Sequence, residues 1–231
     1  MKKLSIIIPV FNEEKTVLKA VKRVLKFKVT GLKNEILIVN DGSTDKTSTE
    51  LRKIKDRRVI ILGHAINRGK GAAVISALKK MTGDLGVIQD ADMEYDPQDL
   101  KLLLAPILDG RADVVFGSRF IGSGPHRVMY FWHHVANKLI TYLSDAFTNL
   151  NLTDIETGYK AFTKEVAKSI HLKEPRFSFD PEFTVKVAKK NFRVYEVGIS
   201  YAGRSYAEGK KISWKDGIIA IWTIIKYSWI K

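Results

Sequence analysis

The feature that most constrains the fold is a regular alternation of apolar runs and amphipathic segments through the first half of the chain. Apolar runs of strand length are predicted at 4–10, 35–39, 59–62, 85–89 and 113–116. Segments with helical spacing are predicted between them at 13–27, 44–55, 71–81 and 97–108. Strands that alternate with helices of this length predict an α/β protein with a mostly parallel sheet covered on both faces.

A polar cluster follows each of the five predicted strands. The clusters span 11–13, 40–45, 64–71, 90–94 and 117–119. In open α/β sheets, ligands bind outside the carboxyl ends of the strands. The coincidence of five clusters with five strand ends therefore predicts one ligand site at that edge, and it is a stronger signal than any single cluster.

The acidic pair Asp90 and Asp92 stands directly after the fourth predicted strand, with only Ala91 between the two carboxylates. Alternate residues of an extended segment share a face, so both side chains are able to meet one cation. Carboxylate oxygens suit Mg²⁺ or Mn²⁺, and Mg²⁺ usually combines one or two carboxylates with substrate phosphates. Without its surroundings, the same pair is equally compatible with a solvated acidic loop.

Two glycine-containing clusters are consistent with a nucleotide ligand. At 40–45, Gly42 permits a tight turn, and Asp41 at the strand end is placed to accept hydrogen bonds from base or ribose groups. At 67–71, a helix start with little side-chain bulk and two cations, Arg68 and Lys70, suits phosphate. Each cluster taken alone is also compatible with a helix start that binds nothing.

These glycines do not match the two common nucleotide-binding motifs. A Walker A loop would need Gly where His64 stands and Ser or Thr where Gly71 stands, and no Gly-x-Gly-x-x-Gly follows the first strand. A P-loop nucleotidase and a Rossmann dehydrogenase are both disfavoured. The histidines have no metal-ligand spacing and are expected to be structural or solvated: His64, His126, His133, His134 and His171.

The charge of the chain indicates an anionic partner. Lys and Arg number 39 against 25 acids, a formal charge of +14, and 45% of the residues are hydrophobic. No nucleic-acid-binding motif accompanies this charge, so a phosphorylated substrate or an anionic membrane surface is expected rather than nucleic acid. The chain lacks cysteine, a signal peptide and any apolar stretch of roughly 18 residues, which favours a cytoplasmic address.

The pattern changes after residue 120. A long helix is predicted at 126–148, and the end of the chain from 214 to 230 is apolar and aromatic with interspersed lysines. Aromatic and basic residues on a helix too short to span a membrane predict lodging at a membrane interface. Packing of both helices on the domain is the alternative interpretation.

In order and spacing, four motifs between residues 4 and 120 resemble the family 2 glycosyltransferases with the GT-A fold. They are Ile8–Glu13 (IPVFNE), Val39–Asp45 (VNDGSTD), Asn67–Gly71 (NRGKG) and Asp90–Asp92 (DAD). The resemblance implies a metal site at Asp90, Asp92 and Glu94. It also implies nucleotide-sugar contacts from Pro9, Phe11, Asn12, Glu13, Asp41, Lys70, Gly71, Asp90, Ala91 and Asp92.

The second half is similar to the polyprenyl-phosphate branch, which includes dolichol-phosphate mannose and glucose synthases. The similarity is carried by Gly117–Phe120 (GSRF), by 154–162, by 177–182 and by 201–211. It implies transfer of glucose or mannose from UDP-glucose or GDP-mannose to a polyprenyl phosphate, with Mg²⁺ or Mn²⁺. The residues implied to bind the acceptor phosphate are Arg119, Arg127, Arg204 and Lys210.

The acceptor decides whether a base is needed. A phosphate monoester is already mostly a dianion at neutral pH, so it attacks without a strong base. A glycan hydroxyl acceptor would need a carboxylate base, for which Asp180 and Glu182 are the candidates. Asp92, Arg119, Arg204, Asp180 and Glu182 form the predicted catalytic set. A nucleotide-sugar-binding membrane protein without turnover is the alternative from another class.

The expected organisation is one catalytic domain followed by a short membrane-associated segment. Residues 1–211 form the GT-A domain, with a nucleotide-sugar half at about 1–120 and an acceptor half at about 121–211. Residues 212–231 form an amphipathic C-terminal helix. The expected place of action is the cytoplasmic face of a membrane, with the protein bound peripherally.

Overall fold

The structure is a computed structural model that describes residues 2–122, 127–204 and 214–230. The strands are β1 Lys2–Val10, β2 Leu32–Asp41, β3 Val59–His64, β4 Leu85–Ile88, β5 Val114–Ser118, β6 Lys160–Thr163 and β7 Val194–Gly198. The helices are α1 Val17–Lys26, α2 Thr47–Arg52, α3 Lys70–Leu78, α4 Leu100–Leu108, α5 Phe131–Thr148, α6 Lys164–Ser169, α7 Phe179–Lys189 and α8 Trp214–Trp229. A 3₁₀ turn, Pro97–Asp99, precedes α4.

The strands form one seven-stranded sheet in the order β3-β2-β1-β4-β6-β5-β7. Neighbouring strands are parallel except at β6, which runs antiparallel to both β4 and β5. The predicted α/β class with a mostly parallel sheet is confirmed. The carboxyl ends of β1, β2, β4 and β5 therefore lie at one edge, where the polar clusters follow them.

Both faces of the sheet are buried, as expected for central parallel strands. Within β1, Ile6 and Ile8 belong to one core with α1 and α4, whereas Ile7 belongs to a second core with α3, α7 and α8. The period of two along the strand divides its side chains between the two cores. This packing on both faces fixes the strand ends from which the functional loops begin.

Several predicted boundaries differ from the structure. The helices predicted at 13–27 and 44–55 begin at Val17 and Thr47, because the preceding residues form turns. In these turns Asn12 Oδ1 accepts the Thr44 N–H at 2.9 Å, and the Asp45 carboxylate accepts the Thr47 N–H at 2.9 Å. The helix predicted at 126–148 begins at Phe131, and position 126 lies outside the described residues.

Helix α8 packs against α5 and α7 and is not an isolated tail. Its Ala220, Ile224 and Tyr227 are buried in the second core, and the Lys226 ammonium and Tyr227 hydroxyl both bind the Glu174 carboxylate. Among the described residues, no helix combines the length and the apolar character that a membrane crossing requires.

Candidate active site

The acidic pair after β4 lies at the centre of the strand-end edge. Lys70 Nζ is 3.0 Å from the Asp90 carboxylate, and the Asp92 carboxylate accepts the Glu94 N–H at 3.1 Å. Burial and the charges of Asp90 and Glu94 raise the pKa of Asp92 to about 7. Two acids that follow β4 therefore face one lysine at the start of α3. Two neighbouring carboxylates with a single lysine form a site that attracts a further cation.

The turn that carries Asp92 is strained. Met93 adopts a left-handed conformation with φ of 69°, which a residue with a side chain adopts only at a cost of about 1–2 kcal/mol. The Arg204 guanidinium stabilises the turn by donating to the Asp92 carbonyl from Nε at 3.1 Å and from Nη2 at 2.7 Å. Backbone strain of this kind clusters at functional sites.

Glu94, the third member of the predicted metal set, is hydrogen-bonded to neighbouring groups in this conformation. Its carboxylate accepts the Tyr201 hydroxyl at 2.9 Å and the Arg204 N–H at 2.8 Å. In the described part of the chain, no three acidic or histidine side chains converge on one point. The predicted metal set of Asp90, Asp92 and Glu94 stays a prediction, and two of its carboxylates, Asp90 and Asp92, would be enough for a Mg²⁺ or Mn²⁺ ion that also takes oxygens from a diphosphate.

Lys70 is held among acids at the start of α3. Burial alone would lower its pKa, but the charges of Asp90, Asp180 and Asp92 raise it above the ordinary value, so the ammonium stays charged. The helix start packs tightly on the 174–179 segment, since a side chain at Gly71 would lie 2.1 Å from the Glu174 carbonyl oxygen. Gly71 therefore sets the close approach that fixes the Lys70 ammonium beside Asp90.

Asp41 organises a loop in this conformation. Its carboxylate lies 2.6 Å from His64 Nδ1 and accepts hydrogen bonds from Asn67 Nδ2, the Arg68 N–H and the Gly69 N–H. The residue is 2% exposed in this conformation, where its carboxylate holds the 67–69 loop, and its contact with a nucleotide stays a prediction. His64 is a structural residue, as predicted, because it bridges Asp41 and Ser76.

Glu13 and Arg204 join the first strand-end cluster to the last described segment of the domain. The guanidinium binds the Glu13 carboxylate at 3.0 and 2.8 Å. The nearby residues of the first cluster, Pro9, Phe11 and Asn12, are half-buried at the end of β1, and Ala91 is buried between the two aspartates. Lys210 lies outside the described residues.

Arg119 follows β5 and is paired with a fully buried carboxylate. Its Nε donates to Asp154 Oδ2 at 2.7 Å, and its Nη2 donates to Asp154 Oδ1 at 2.7 Å. Nη2 also donates to Asn137 Oδ1 at 3.2 Å. The guanidinium lies 5.3 Å from the centre of the Tyr201 ring. This bidentate pair fixes the direction of the arginine, which is only 8% exposed along its side chain.

The chain matches the family model described as glycosyl transferase family 2 over residues 5–170, well over half its length. It is a family 2 glycosyltransferase. The sequence prediction of this family is confirmed.

Relatives and solved structures extend the match. An uncharacterized protein of Methanocaldococcus jannaschii is 31% identical, covering 90% of this chain and 85% of that protein. A UDP-N-acetylglucosamine–dolichyl-phosphate N-acetylglucosaminyltransferase of Methanococcus voltae is 28% identical, covering 91% of both. A dolichol-phosphate mannosyltransferase of Pyrococcus furiosus is 29% identical, covering 91% of this chain and 60% of that protein.

The fold has a counterpart among solved structures. The glucosyl-3-phosphoglycerate synthase of Mycobacterium tuberculosis, solved with Mn²⁺, UDP and phosphoglyceric acid, superposes with a TM-score of 0.76. The superposition covers 100% of this chain and 80% of that one at 18% identity. The GT-A architecture predicted from the sequence is confirmed.

A groove of about 770 Å³ opens beside Arg119 in this glycosyltransferase. Arg119 and Arg127 supply its positive charge, and Val128, Phe131 and Tyr201 are among its apolar and aromatic lining. Arg127 donates to the Gly203 carbonyl at 2.9 Å, which ties the entrance of α5 to the 198–204 segment. The groove combines cations with an apolar wall that continues onto the exposed start of α5.

The two predicted base candidates of the transferase are both engaged. Glu182 is fully buried and accepts the backbone N–H groups of Lys173 and Glu174 and an ion pair from Lys186. A carboxylate enclosed in this way supports the chain at 173–174, which opposes the base role that remains a prediction for Glu182. Asp180 is 3% exposed and pairs with Lys160 at 2.5 Å, which opposes a base role for it as well.

One acidic residue of the site was missed by the sequence interpretation. Glu156 lies in the loop between α5 and β6, near Lys160, Arg119, Asp154 and Asp180. Its Oε1 is buried without a hydrogen-bond partner among the described residues. Its sequence signal is its position inside 154–162, one of the segments similar to the polyprenyl-phosphate branch.

Proposed function

We propose that the enzyme transfers a hexose from a nucleoside diphosphate sugar to a polyprenyl phosphate, in a reaction that depends on Mg²⁺ or Mn²⁺. The observation that carries the acceptor assignment is the groove, because it joins Arg119 and Arg127 to an apolar wall. A lipid phosphate has this combination of an anionic head and an apolar chain. The dolichyl-phosphate substrates in the names of two relatives support the same acceptor.

The donor diphosphate is assigned to Asp90, Asp92 and Lys70. A bound divalent cation would be held by the two carboxylates and would neutralise charge on the departing diphosphate. Lys70 is already charged and fixed within reach of Asp90, so it adds positive charge without rearrangement. The complex of the Mycobacterium tuberculosis enzyme with Mn²⁺ and UDP is consistent with this assignment.

In the proposed reaction, an oxygen of the acceptor phosphate forms the new bond to the anomeric carbon of the sugar. The bond from that carbon to the diphosphate oxygen breaks, and its electron pair leaves with the nucleoside diphosphate. Attack from the opposite side inverts the configuration. No proton has to be removed from a phosphate dianion, and this agrees with the engagement of Asp180 and Glu182 elsewhere.

The experiment that tests this function offers the purified protein UDP-glucose and GDP-mannose with Mn²⁺, each with and without a short polyprenyl phosphate. We expect a lipid-linked sugar with one of the donors and loss of product with a chelator. Equal consumption of donor without lipid would contradict the acceptor assignment. Transfer to a free sugar at a higher rate than to the lipid would favour a glycan hydroxyl acceptor.

Exposed aromatic residues on helices α5 and α8 also support binding to an anionic membrane surface. They contact each other, and Trp132 on α5 and Trp222 on α8 are 77% and 63% exposed. Exposed tryptophans on helices of a chain with net charge +14 are typical of interfacial binding. This peripheral attachment would bring the groove to its lipid substrate.

Replacement of both tryptophans should weaken membrane binding. We expect Trp132→Ser/Trp222→Ser to bind vesicles containing anionic lipid about tenfold or more weakly than the wild type, measured by sedimentation at low salt. Ile60→Ser on the edge strand β3, where Ile60 is 42% exposed, is the matched control and should bind normally. Unchanged sedimentation of the double variant would contradict the proposed surface.

A further inference from the structure

One carboxylate oxygen of Glu156 accepts no hydrogen bond from the described residues. Its Oε1 is shielded from solvent and has no partner among the described residues. A buried carboxylate oxygen without a protein partner is unfavourable, and in native proteins such an atom is expected to bind a water molecule, an ion or a ligand. The group is therefore a candidate for contact with a ligand.

The loop that carries Glu156 is held rigidly. The Lys160 ammonium donates to the carbonyls of Ile155 at 3.1 Å and Thr157 at 2.5 Å, directly before and after Glu156 in the chain. Asp154, two residues earlier, grips Arg119 through two short bonds. The backbone that carries Glu156 is fixed by these anchors, so less freedom remains to be lost when a ligand binds its side chain.

In chain order, Glu156 stands between Asp154, which binds Arg119, and Gly158, which packs on Asp90. The charge of Arg119, assigned to the acceptor phosphate, acts on Glu156, as does the charge of Asp180. Asp180 also acts on Lys70, which is assigned to the donor diphosphate. Two residues further along the loop, Gly158 packs so closely on Asp90 that an added Cβ would lie 2.1 Å from Oδ2.

The part of the substrates that must lie between the two phosphates is the sugar. We propose that Glu156 accepts a hydrogen bond from a hydroxyl group of the donor hexose and so takes part in choosing the sugar. This inference rests on the proposed function, since it requires a nucleotide-sugar donor at Asp90 and Lys70. It assigns Glu156 to the hexose itself, whereas the residues described above serve the phosphates.

Other ligands fit this position less well. A phosphate would be repelled by a carboxylate with Asp154 and Asp180 nearby, and the charges of Lys160 and Arg119 disfavour a metal ion there. Burial and the neighbouring Asp180 raise the pKa of Glu156 to about 7, so the carboxyl is able to accept or donate near neutral pH. A sugar hydroxyl is complementary to either form.

The test compares donor binding with and without the sugar. Calorimetry with Mn²⁺ would measure the Kd of UDP, UDP-glucose, GDP and GDP-mannose for wild type, Glu156→Leu and Glu156→Gln. For the donor that binds, we expect Glu156→Leu to weaken the nucleotide sugar about 10–100-fold and the bare diphosphate less than twofold. Glu156→Gln keeps a carbonyl acceptor and should lose less than about tenfold.

Two controls separate a ligand contact from a structural role. Glu165→Leu, at an exposed position of α6, should leave all four Kd values unchanged. Glu156→Leu should melt no lower than the wild type, because it removes an unsatisfied buried oxygen. Donors that lack single hydroxyls identify the contact, since one of them should bind the wild type and Glu156→Leu equally.

Equal losses of affinity for the bare diphosphate and the sugar nucleotide in Glu156→Leu would overturn the inference. So would an effect on turnover alone, which would make Glu156 a base for the acceptor. Failure of the proposed acceptor is distinguishable, because it would leave donor binding normal and abolish only transfer to polyprenyl phosphate. Absence of wild-type binding to every nucleotide would overturn both.

Discussion

Asp92→Asn should abolish sugar transfer while leaving the metal-free fold at least as stable as the wild type. The variant loses one of the two carboxylates proposed to hold the cation, and we expect kcat to fall by about 10³-fold. Stability should not fall with it, because burial and the charges of Asp90 and Glu94 raise the pKa of Asp92 to about 7. Ionised Asp92 is therefore unfavourable in the metal-free protein.

The sign of this effect follows from the raised pKa. Protonated Asp92 stabilises the fold below the ordinary pKa of 3.8, and this contribution is lost as the pH rises through about 7. Asn resembles the protonated form and does not titrate. In chelator at pH 8, the melting temperature of Asp92→Asn should equal or exceed that of the wild type.

Two further measurements check this interpretation. In the presence of UDP, the affinity of the wild type for Mn²⁺ should fall as the pH drops below about 7, since a proton then competes with the cation at Asp92. The control Asp109→Asn removes an exposed acid after α4 and should change neither transfer nor melting. Retained transfer in Asp92→Asn would refute the assignment of the donor site.

The sheet and the edge that carries the site follow from local pattern. The strand runs at 4–10, 35–39 and 85–89 are apolar on both faces, and a parallel sheet is the arrangement that buries both. The strand β6 was not predicted, because Lys160 opens it as a buried cation whose partner Asp180 lies on another element. The pattern of hydrophobicity along the chain gives no information about an ion pair between two distant residues such as Lys160 and Asp180.

Side-chain roles were harder to predict than the position of the site. Asp41 stands at a strand end, as predicted, but three N–H groups from residues 67–69 and His64 fold back onto it. Glu182 is an acid within a motif, and the sequence does not show that the backbone N–H groups of Lys173 and Glu174 enclose it. The groups that bind Asp41 lie 23 to 28 residues further along the chain, and the donors to Glu182 lie eight and nine residues before it. Both sets lie outside the motif that contains the acid, so motif spacing gives no information about them.

Variants of the buried Arg119–Asp154 ion pair should separate an effect on stability from an effect on sugar transfer. Arg119→Met leaves a fully buried carboxylate without its partner, and we expect it to lose about 3–5 kcal/mol of unfolding free energy. Adding Asp154→Asn removes the uncompensated charge and should restore most of that loss, because replacing both members of a buried pair is often close to neutral. Denaturant unfolding of both variants would measure the difference.

Transfer should not return with stability. If Arg119 binds the acceptor phosphate, Arg119→Met/Asp154→Asn should bind the donor normally but raise the KM for polyprenyl phosphate by at least about tenfold. The exposed pair Arg193–Asp113 provides the control, since Arg193→Met should cost no more than about 1 kcal/mol and leave transfer intact. Recovery of both stability and transfer in the double variant would mean that Arg119 only supports the loop at 154. The acceptor phosphate would then have to be assigned to Arg127 or to residues outside the described part of the chain.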